Sequence, residues 1–369
     1  MTAALDIAAP APAEDRLAED RAAERQATLA RWGWGAAALA PLPGDASHRR
    51  YIRLVAQSGA RALLMDVPLE LEPIQPFLTL ARHLGRLGFS APCILAEDAA
   101  AGLALIEDFG EATYTRLLDA GADPRPLYER AVDVLVALHA DPQAAAVDAP
   151  PFDLAPLMVE VHLFVDWYLP VVLRQPLDAG VRRDLLALWV ELLDGTARRR
   201  DTLALADYHV DNLMVLDRPG VAAVGLLDFQ DGMIGSRAYD LMSLLEDARR
   251  DVPADLARDL RARYHAAHPA DPVFEDDYAR LAVQRHAKVA GIFTRLWLRD
   301  GKPAYLAHIP RVLRMLKAAL ALPPAEVLAR FLATHCAGWD ASLPPAAEAE
   351  RWRRLTPAGA PPPPQEPLP

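Results

Sequence analysis

The spacing of apolar residues divides the chain into two kinds of region. Between residues 42 and 106 the apolar runs are short and bounded by turn residues. Runs 51–55 and 61–66 flank Gln57-Ser58-Gly59-Ala60, and 93–95 and 103–106 flank a turn at 98–102. Such runs read as strands, the first two as a β-hairpin. One segment among them differs: Ile74, Phe77, Leu78, Ala81, Leu84 and Leu87 recur at helical spacing, and Gly88 follows as a C-cap. Beyond 106 the helical spacing dominates. It predicts helices at 113–119, 126–140, 154–169, 179–199, 237–250, 253–267, 274–299, 304–319 and 324–336. A single hairpin interrupts them, where apolar runs 213–216 and 221–227 enclose Asp217-Arg218-Pro219-Gly220. A helix from 17 to 32 has few apolar positions and reads as solvated. The fold class that follows is α+β, with a small N-terminal sheet lobe and a larger, mostly helical C-terminal lobe. The expected division is a flexible start (1–26), a sheet lobe (27–106), a hinge (107–112), a helical lobe (113–340) and a disordered, Pro-rich tail (341–369).

Composition narrows the partners. A net charge of −11 argues against nucleic acid or an anionic membrane surface as the main partner. Two cysteines, Cys93 and Cys336, build neither a disulfide framework nor a cysteine-rich zinc site. No uninterrupted apolar run reads as a membrane span, and the acidic, Pro-containing start is a poor signal peptide. A cytoplasmic monomer is the expectation.

Candidate chemistry gathers at the ends of the second hairpin. Asp207, His209, Asp211 and Asn212 precede it; Asp228 and Asp231 follow it. Strand pairing brings those ends together, and carboxylates that close call for a cation. The spacing is informative as well. Asp207 and Asn212 form a D-x-x-x-x-N pattern, and Asp228-Phe229-Gln230 ends the next strand. Kinase-type phosphoryl transfer needs those parts in that order: a carboxylate to orient the attacking hydroxyl and take its proton, then an amide and a carboxylate to hold magnesium on ATP. Together with a sheet-plus-helix lobe they predict a bilobal, protein-kinase-like fold. The loop Pro43-Gly44-Asp45-Ala46-Ser47, ahead of the first hairpin, has the small residues that can lay backbone N–H groups over a phosphate, although G-x-G-x-x-G is absent.

At Asp207-Tyr-His-Val-Asp-Asn212 and Leu226-Leu-Asp-Phe-Gln-Asp231 the sequence resembles the aminoglycoside phosphotransferase family of kinase-like folds. The catalytic loop of that family typically reads His-Gly-Asp-x-His-x-x-Asn; here Leu205 and Ala206 replace its first His and Gly. Ala238-Tyr239-Asp240-Leu241 is similar to a family motif whose Asp buttresses that loop. The runs Gly44 to Arg53, Leu64 to Pro68, Asp207 to Met214, Gly225 to Asp231 and Gly291 to Tyr305 are similar to its cell-wall amino-sugar kinase branch. That branch phosphorylates the anomeric hydroxyl of N-acetylmuramate and N-acetylglucosamine. The resemblance implies ATP and Mg2+ as cofactors. It implies Asp207 as catalytic base, Asn212 and Asp228 as metal ligands, and Gly44, Asp45, Ser47, Arg49 and Arg50 on the phosphate-covering loop. It places a hinge at 106–110, with Glu107 and Phe109, against adenine.

The usual phosphate-gripping lysine is missing. Met65 lies near its position and the first lysine of the chain is Lys288, so Arg49 and Arg50 are the expected substitutes, with Arg53 a further candidate. Arg285, Lys288, Arg295 and Arg299 share one face of the helix 281–299; Arg295 and Arg299 are candidates for a sugar carboxylate. His209, Asp211 and Asp231 are candidates for contacts with substrate. His139, Trp167, Tyr168 and Trp297 read as packed core residues. Other readings stay open: a kinase for choline, homoserine or an aminoglycoside, a non-catalytic kinase-like binding protein, or a metal-dependent phosphohydrolase.

Overall fold

The computed structural model describes residues 13–43, 49–269 and 271–357. Two compact units emerge, one of Met1–Arg82 with Ala91–Gly110, the other of His83–Ser90 with Glu111–Pro369.

The first unit is a five-stranded antiparallel sheet with an N-terminal helix. Its elements are α1 (Ala13–Arg31), β1 (Ala38–Pro41), β2 (Arg50–Val55), β3 (Arg61–Asp66), β4 (Ile94–Asp98) and β5 (Leu103–Ile106), in the spatial order β1-β2-β3-β5-β4. The expected hairpin is β2–β3, with Arg50 opposite Asp66 and Val55 opposite Arg61. Alternate residues of these strands, Ile52 and Leu54 with Ala62 and Leu64, bury one face with Leu103, Leu105 and Leu29. Edge strand β1 escapes the pattern because all four of its residues are exposed, so no alternation marks it. Residues 1–12 of the expected flexible start lie outside the described residues; from Ala13 onward the expectation is corrected, because α1 begins there and its Arg21 and Arg25 both reach the buried Asp66 carboxylate, Arg25 at 2.7 Å.

The helix α2 (Gln75–Arg86) runs from the first unit into the second. The second unit continues with α3 (Tyr114–Asp119), α4 (Pro124–Ala140) and α5 (Leu154–Leu163). A wider π turn over Phe164–Tyr168 joins α5 to α6 (Leu169–Val172). After α7 (Ala179–Ala197) come β6 (Thr202–Ala204), β7 (Leu213–Val215), β8 (Val224–Leu226) and β9 (Met233–Gly235). Then follow α8 (Ala238–Leu245), α9 (Ala254–Ala267), α10 (Pro272–Leu298), α11 (Ile309–Leu320), α12 (Glu326–His335) and α13 (Ala349–Arg353). Local chemistry sets several starts: Asp123, Asp178 and Asp271 cap α4, α7 and α10 by accepting backbone N–H bonds, and Pro124 and Pro272 occupy first-turn positions.

The long helix α10 is the spine of this unit. In its C-terminal third Gly291 lies so close to α5 that an added Cβ would come within 2.3 Å of the Leu163 carbonyl oxygen. Only glycine allows that approach. Trp167, Val171, Trp297, Leu298 and Trp352 form a cluster nearby, so Trp167 and Trp297 are core residues, as expected; Tyr168 is fully buried too and donates to the Trp339 carbonyl. Trp352 corrects the expected disorder over 341–357: α13 folds back, and the Trp297 indole donates to the Ala346 carbonyl at 3.1 Å, while 358–369 lie outside the described residues. Glu160 and Asp166 interrupt the apolar stretch 154–172. Leu154–Val172 is long and apolar enough to cross a bilayer by length and composition, yet 61% of it is buried inside the protein.

Candidate active site

The expected hairpin of the second unit is present. β7 and β8 pair antiparallel, Leu213 opposite Leu226, and the Leu227 amide donates to the Asn212 carbonyl at 2.9 Å. This register sets Asn212, just before β7, beside Asp228, just after β8. Asp228 adopts φ 55°, a left-handed conformation that turns the chain out of the strand. Its neighbour Phe229 is buried, while Asp228 is exposed.

Asp207 lies on the loop between β6 and β7. Asp240, in the first turn of α8, accepts the Leu205 amide at 2.6 Å and the Ala206 amide at 3.1 Å, which is the buttress the family motif implied. Ala206 has φ 68°, left-handed for a residue with a Cβ. From α10, Arg285 donates through Nη1 to the Ala206 carbonyl at 3.2 Å and to the Tyr239 hydroxyl at 3.1 Å. Its Nη2 stands 3.7 Å from Asp207 Oδ1, too far for a hydrogen bond and close enough for strong attraction.

Two carboxyls, Asp207 on this loop and Asp240 beneath it on α8, are thus driven in opposite directions. Burial pushes Asp240 up to about 7, against the two amide donors and Arg285. Asp207 keeps 42% of its side chain accessible although it lies deep among its neighbours. Burial would raise it, but Arg285, then Lys288, His209 and Arg249 hold it below the ordinary carboxylate range. An ionised carboxylate that is still reachable is what a base needs.

Asn212 turns its Nδ2 to the Asp207 carbonyl at 3.0 Å, leaving the amide oxygen as the group it offers a cation. Asp228 and Asp231 both accept from Gln230 Nε2, each at 3.0 Å. No group of three His, Cys, Asp or Glu side chains able to hold a metal occurs among the described residues. The expected crowd of carboxylates thus does not form such a group, and Asn212 and Asp228 are the residues that would hold a cation. That donor set fits magnesium, which keeps waters and takes substrate phosphates alongside one or two protein oxygens.

The other candidates scatter. His209 is buried under the loop, and burial lowers its pKa, so it packs rather than faces solvent. Asp211 takes the Thr115 hydroxyl and lies 3.6 Å from Arg249, so it is engaged by the protein. Asp231 is exposed. Arg295 and Arg299 are ten and fourteen residues past Arg285, roughly 15 and 21 Å along the axis, and are not brought to Asp207. His139 accepts or donates at 2.8 Å to the Tyr264 hydroxyl and is pushed down to about 3 by burial, as a packed histidine would be.

In the first unit, Gly44, Asp45 and Ser47 lie outside the described residues. Arg49 is buried, with Nε 3.1 Å from Glu72, while Arg50 is exposed at the head of β2. Arg53 holds Asp108 at 2.7 Å and donates to the Gly110 carbonyl at 2.9 Å. Glu107 pairs with Cys93 through its backbone N–H at 2.9 Å, and Phe109 is half-buried. Met65 is fully buried in β3. The residue the sequence undervalued is Arg285. It was visible only as one of four cations on a helix face; nothing in the spacing says which of them meets the base.

Residues 38–283 match the Phosphotransferase enzyme family. A protein of Caulobacter vibrioides named N-acetylmuramate/N-acetylglucosamine kinase is 36% identical over 85% of this chain and 97% of its own length. One of the same name from Pseudomonas aeruginosa is 38% identical over 79% of this chain and 87% of its own. Among solved structures, the ADP-bound aminoglycoside phosphotransferase APH(2'')-Ib is similar with a TM-score of 0.54 at 12% identity, covering 81% of this chain and 99% of that one. That last likeness concerns the fold, which is the expected protein-kinase-like one.

Proposed function

The chain belongs to the phosphotransferase enzyme family, and on that footing we propose that it moves the γ-phosphoryl group of ATP onto the anomeric hydroxyl of N-acetylmuramate or N-acetylglucosamine. The observation that carries the reading is the hairpin that sets Asn212 beside Asp228 behind a reachable, ionised Asp207. The relatives' shared name supports the amino-sugar acceptor.

In this reading Asp207 orients the sugar hydroxyl and takes its proton as the new O–P bond forms. The bond between the γ-phosphorus and the bridging oxygen breaks, and ADP leaves. An anomeric hydroxyl is more acidic than an ordinary alcohol, so a weakly basic carboxylate suffices and orientation is its main contribution. Magnesium held by Asn212 and Asp228 would neutralise charge on the phosphates. Residues 44–50 would cover those phosphates. Arg50 is the cation of that loop open to them, since Arg49 faces Glu72. Backbone groups of 106–110 would meet adenine. We place the reaction in the cytoplasm, where ATP is at hand.

The test is incubation with ATP, magnesium and a panel of N-acetylated amino sugars, choline and aminoglycosides, with products identified by mass and phosphorus NMR. A sugar 1-phosphate is the expected product. Phosphocholine or a phosphorylated aminoglycoside would replace the acceptor, and no nucleotide consumption with any of them would favour a binding protein. Asp207→Asn should cut turnover by about a thousandfold or more while ADP affinity stays within a few-fold.

A further inference from the structure

The loop that carries Asp207 is held at both faces of its backbone by different helices. Asp240 of α8 takes the amides of Leu205 and Ala206. Arg285 of α10 takes the Ala206 carbonyl, on the peptide that leads directly into Asp207. Between these two grips Ala206 sits at φ 68°, where a Cβ is disfavoured and where an unheld alanine would relax. Arg285 is itself fixed. It is 8% exposed, donates to the Tyr239 hydroxyl, and lies 5.5 Å from the centre of that ring. Its free fork atom faces Asp207 Oδ1 at 3.7 Å without occupying a lone pair of the carboxylate.

From this arrangement we propose that Arg285 is the positioning residue of the catalytic base: it keeps the Ala206 peptide in its strained conformation and sets a fixed positive charge against the Asp207 carboxylate. The proposal rests on Asp207 being the base of the reading above, and extends it to a residue outside the motif. The remaining charges around the loop are otherwise engaged. Lys288 pairs with Glu160 at 2.5 Å, Arg249 faces Asp211, and Asp240 is bound to the opposite side of the loop. Lysine could supply charge at this place but not the forked contact to a carbonyl, a hydroxyl and a carboxylate together.

The experiment compares Arg285→Ala, Arg285→Lys and the double variant Arg285→Ala/Ala206→Gly in the full chain. Arg285→Ala should lose about a hundredfold in kcat, with ADP affinity within about threefold of the parent. Added guanidinium should restore several-fold of that loss, and Arg285→Lys should keep part of the rate. Ala206→Gly in the Arg285→Ala background should also recover several-fold, because glycine takes the left-handed conformation without being held. A second readout needs no acceptor. Amide hydrogen exchange in the peptide 203–210 should accelerate in Arg285→Ala while that of α10 stays as in the parent. If exchange instead loosens along α10 and α8 together, and neither guanidinium nor Ala206→Gly restores rate, Arg285 is a packing residue and the proposal is overturned. A parent enzyme inactive on every amino sugar, with the exchange response intact, would refute the acceptor and leave the positioning role standing.

Discussion

The middle and the C-terminal end of α10 carry the same kind of charge and lead different lives. In the middle turns Gln284, Arg285, His286 and Lys288 all point inward, each to a stated partner: Gln284 and Lys288 to Glu160, Arg285 to Ala206 and Tyr239, His286 to Glu246 at 2.6 Å. Toward the C-terminus Arg295 is half-buried, its Nε without a partner among the described residues, and Arg299 is exposed and bound to the adjacent Asp300, at 2.6 Å. On a helical wheel Arg285, Lys288, Arg295 and Arg299 form one stripe. In the fold the first half of the stripe supports the loop that carries Asp207 and the second half does not reach it. Charge at helical spacing therefore identifies a face, while burial decides what the face does.

Substitutions along the helix sharpen that contrast, and the largest stability effect is expected in the middle. Lys288→Met leaves Glu160 in a largely buried position without its cation and should cost about 2 kcal/mol in urea unfolding. A loss below about 0.5 kcal/mol would place Lys288 with the outer group. Next comes Glu246, the partner of His286. Burial would raise its pKa, but the His286 hydrogen bond brings it below the usual value. A carboxylate with a lowered folded pKa stabilises above its unfolded value near 4.3 and loses that contribution as pH falls through the folded value. Glu246→Gln should thus cost about 1–2 kcal/mol at pH 7, with the gap to the parent closing below about pH 4. A gap that persists into acid would mean the pair is not what the shift reports.

At the far end the sign reverses. Burial, then Arg299, disfavours the charge of Arg295. Arg295→Met should raise stability by about 0.5–1 kcal/mol in thermal unfolding, since it removes a half-buried cation and keeps its stem. A fall in stability would show that the group is better satisfied than the structure suggests. The same variant tests the carboxylate role expected from the sequence: a loss of turnover confined to N-acetylmuramate, with N-acetylglucosamine unaffected, would restore Arg295 to the sugar site. The smallest effect belongs to Arg299→Ala, within about 0.5 kcal/mol and with unchanged turnover, because its partner is the exposed neighbour Asp300.

Much of the fold was legible in the chain because the elements are long or well punctuated. The hairpin β2–β3 and helices such as α4, α7 and α10 fall within a few residues of where apolar spacing puts them. The three-residue strands β6 and β9 were not, since runs that short have no period to read. Nor was the folded stretch around Trp352, where proline content argued for disorder and one indole in the Trp167 cluster outweighs it.

The candidate-site hairpin was written in the sequence because its geometry is local: three strand pairs between Asn212 and Asp228 need only one turn and one register to bring those two residues together. Asp240 came with it through a neighbouring motif. The settings that make Asp207 an accessible anion were not written there. They depend on a guanidinium seventy-eight positions away on α10, brought to 3.7 Å by packing that includes the close approach of Gly291 to Leu163. Residue type and spacing fix which groups a short segment can bring together; which distant charge faces them is decided by how helices pack, because an electrostatic partner needs proximity in space and leaves no periodic trace along the chain.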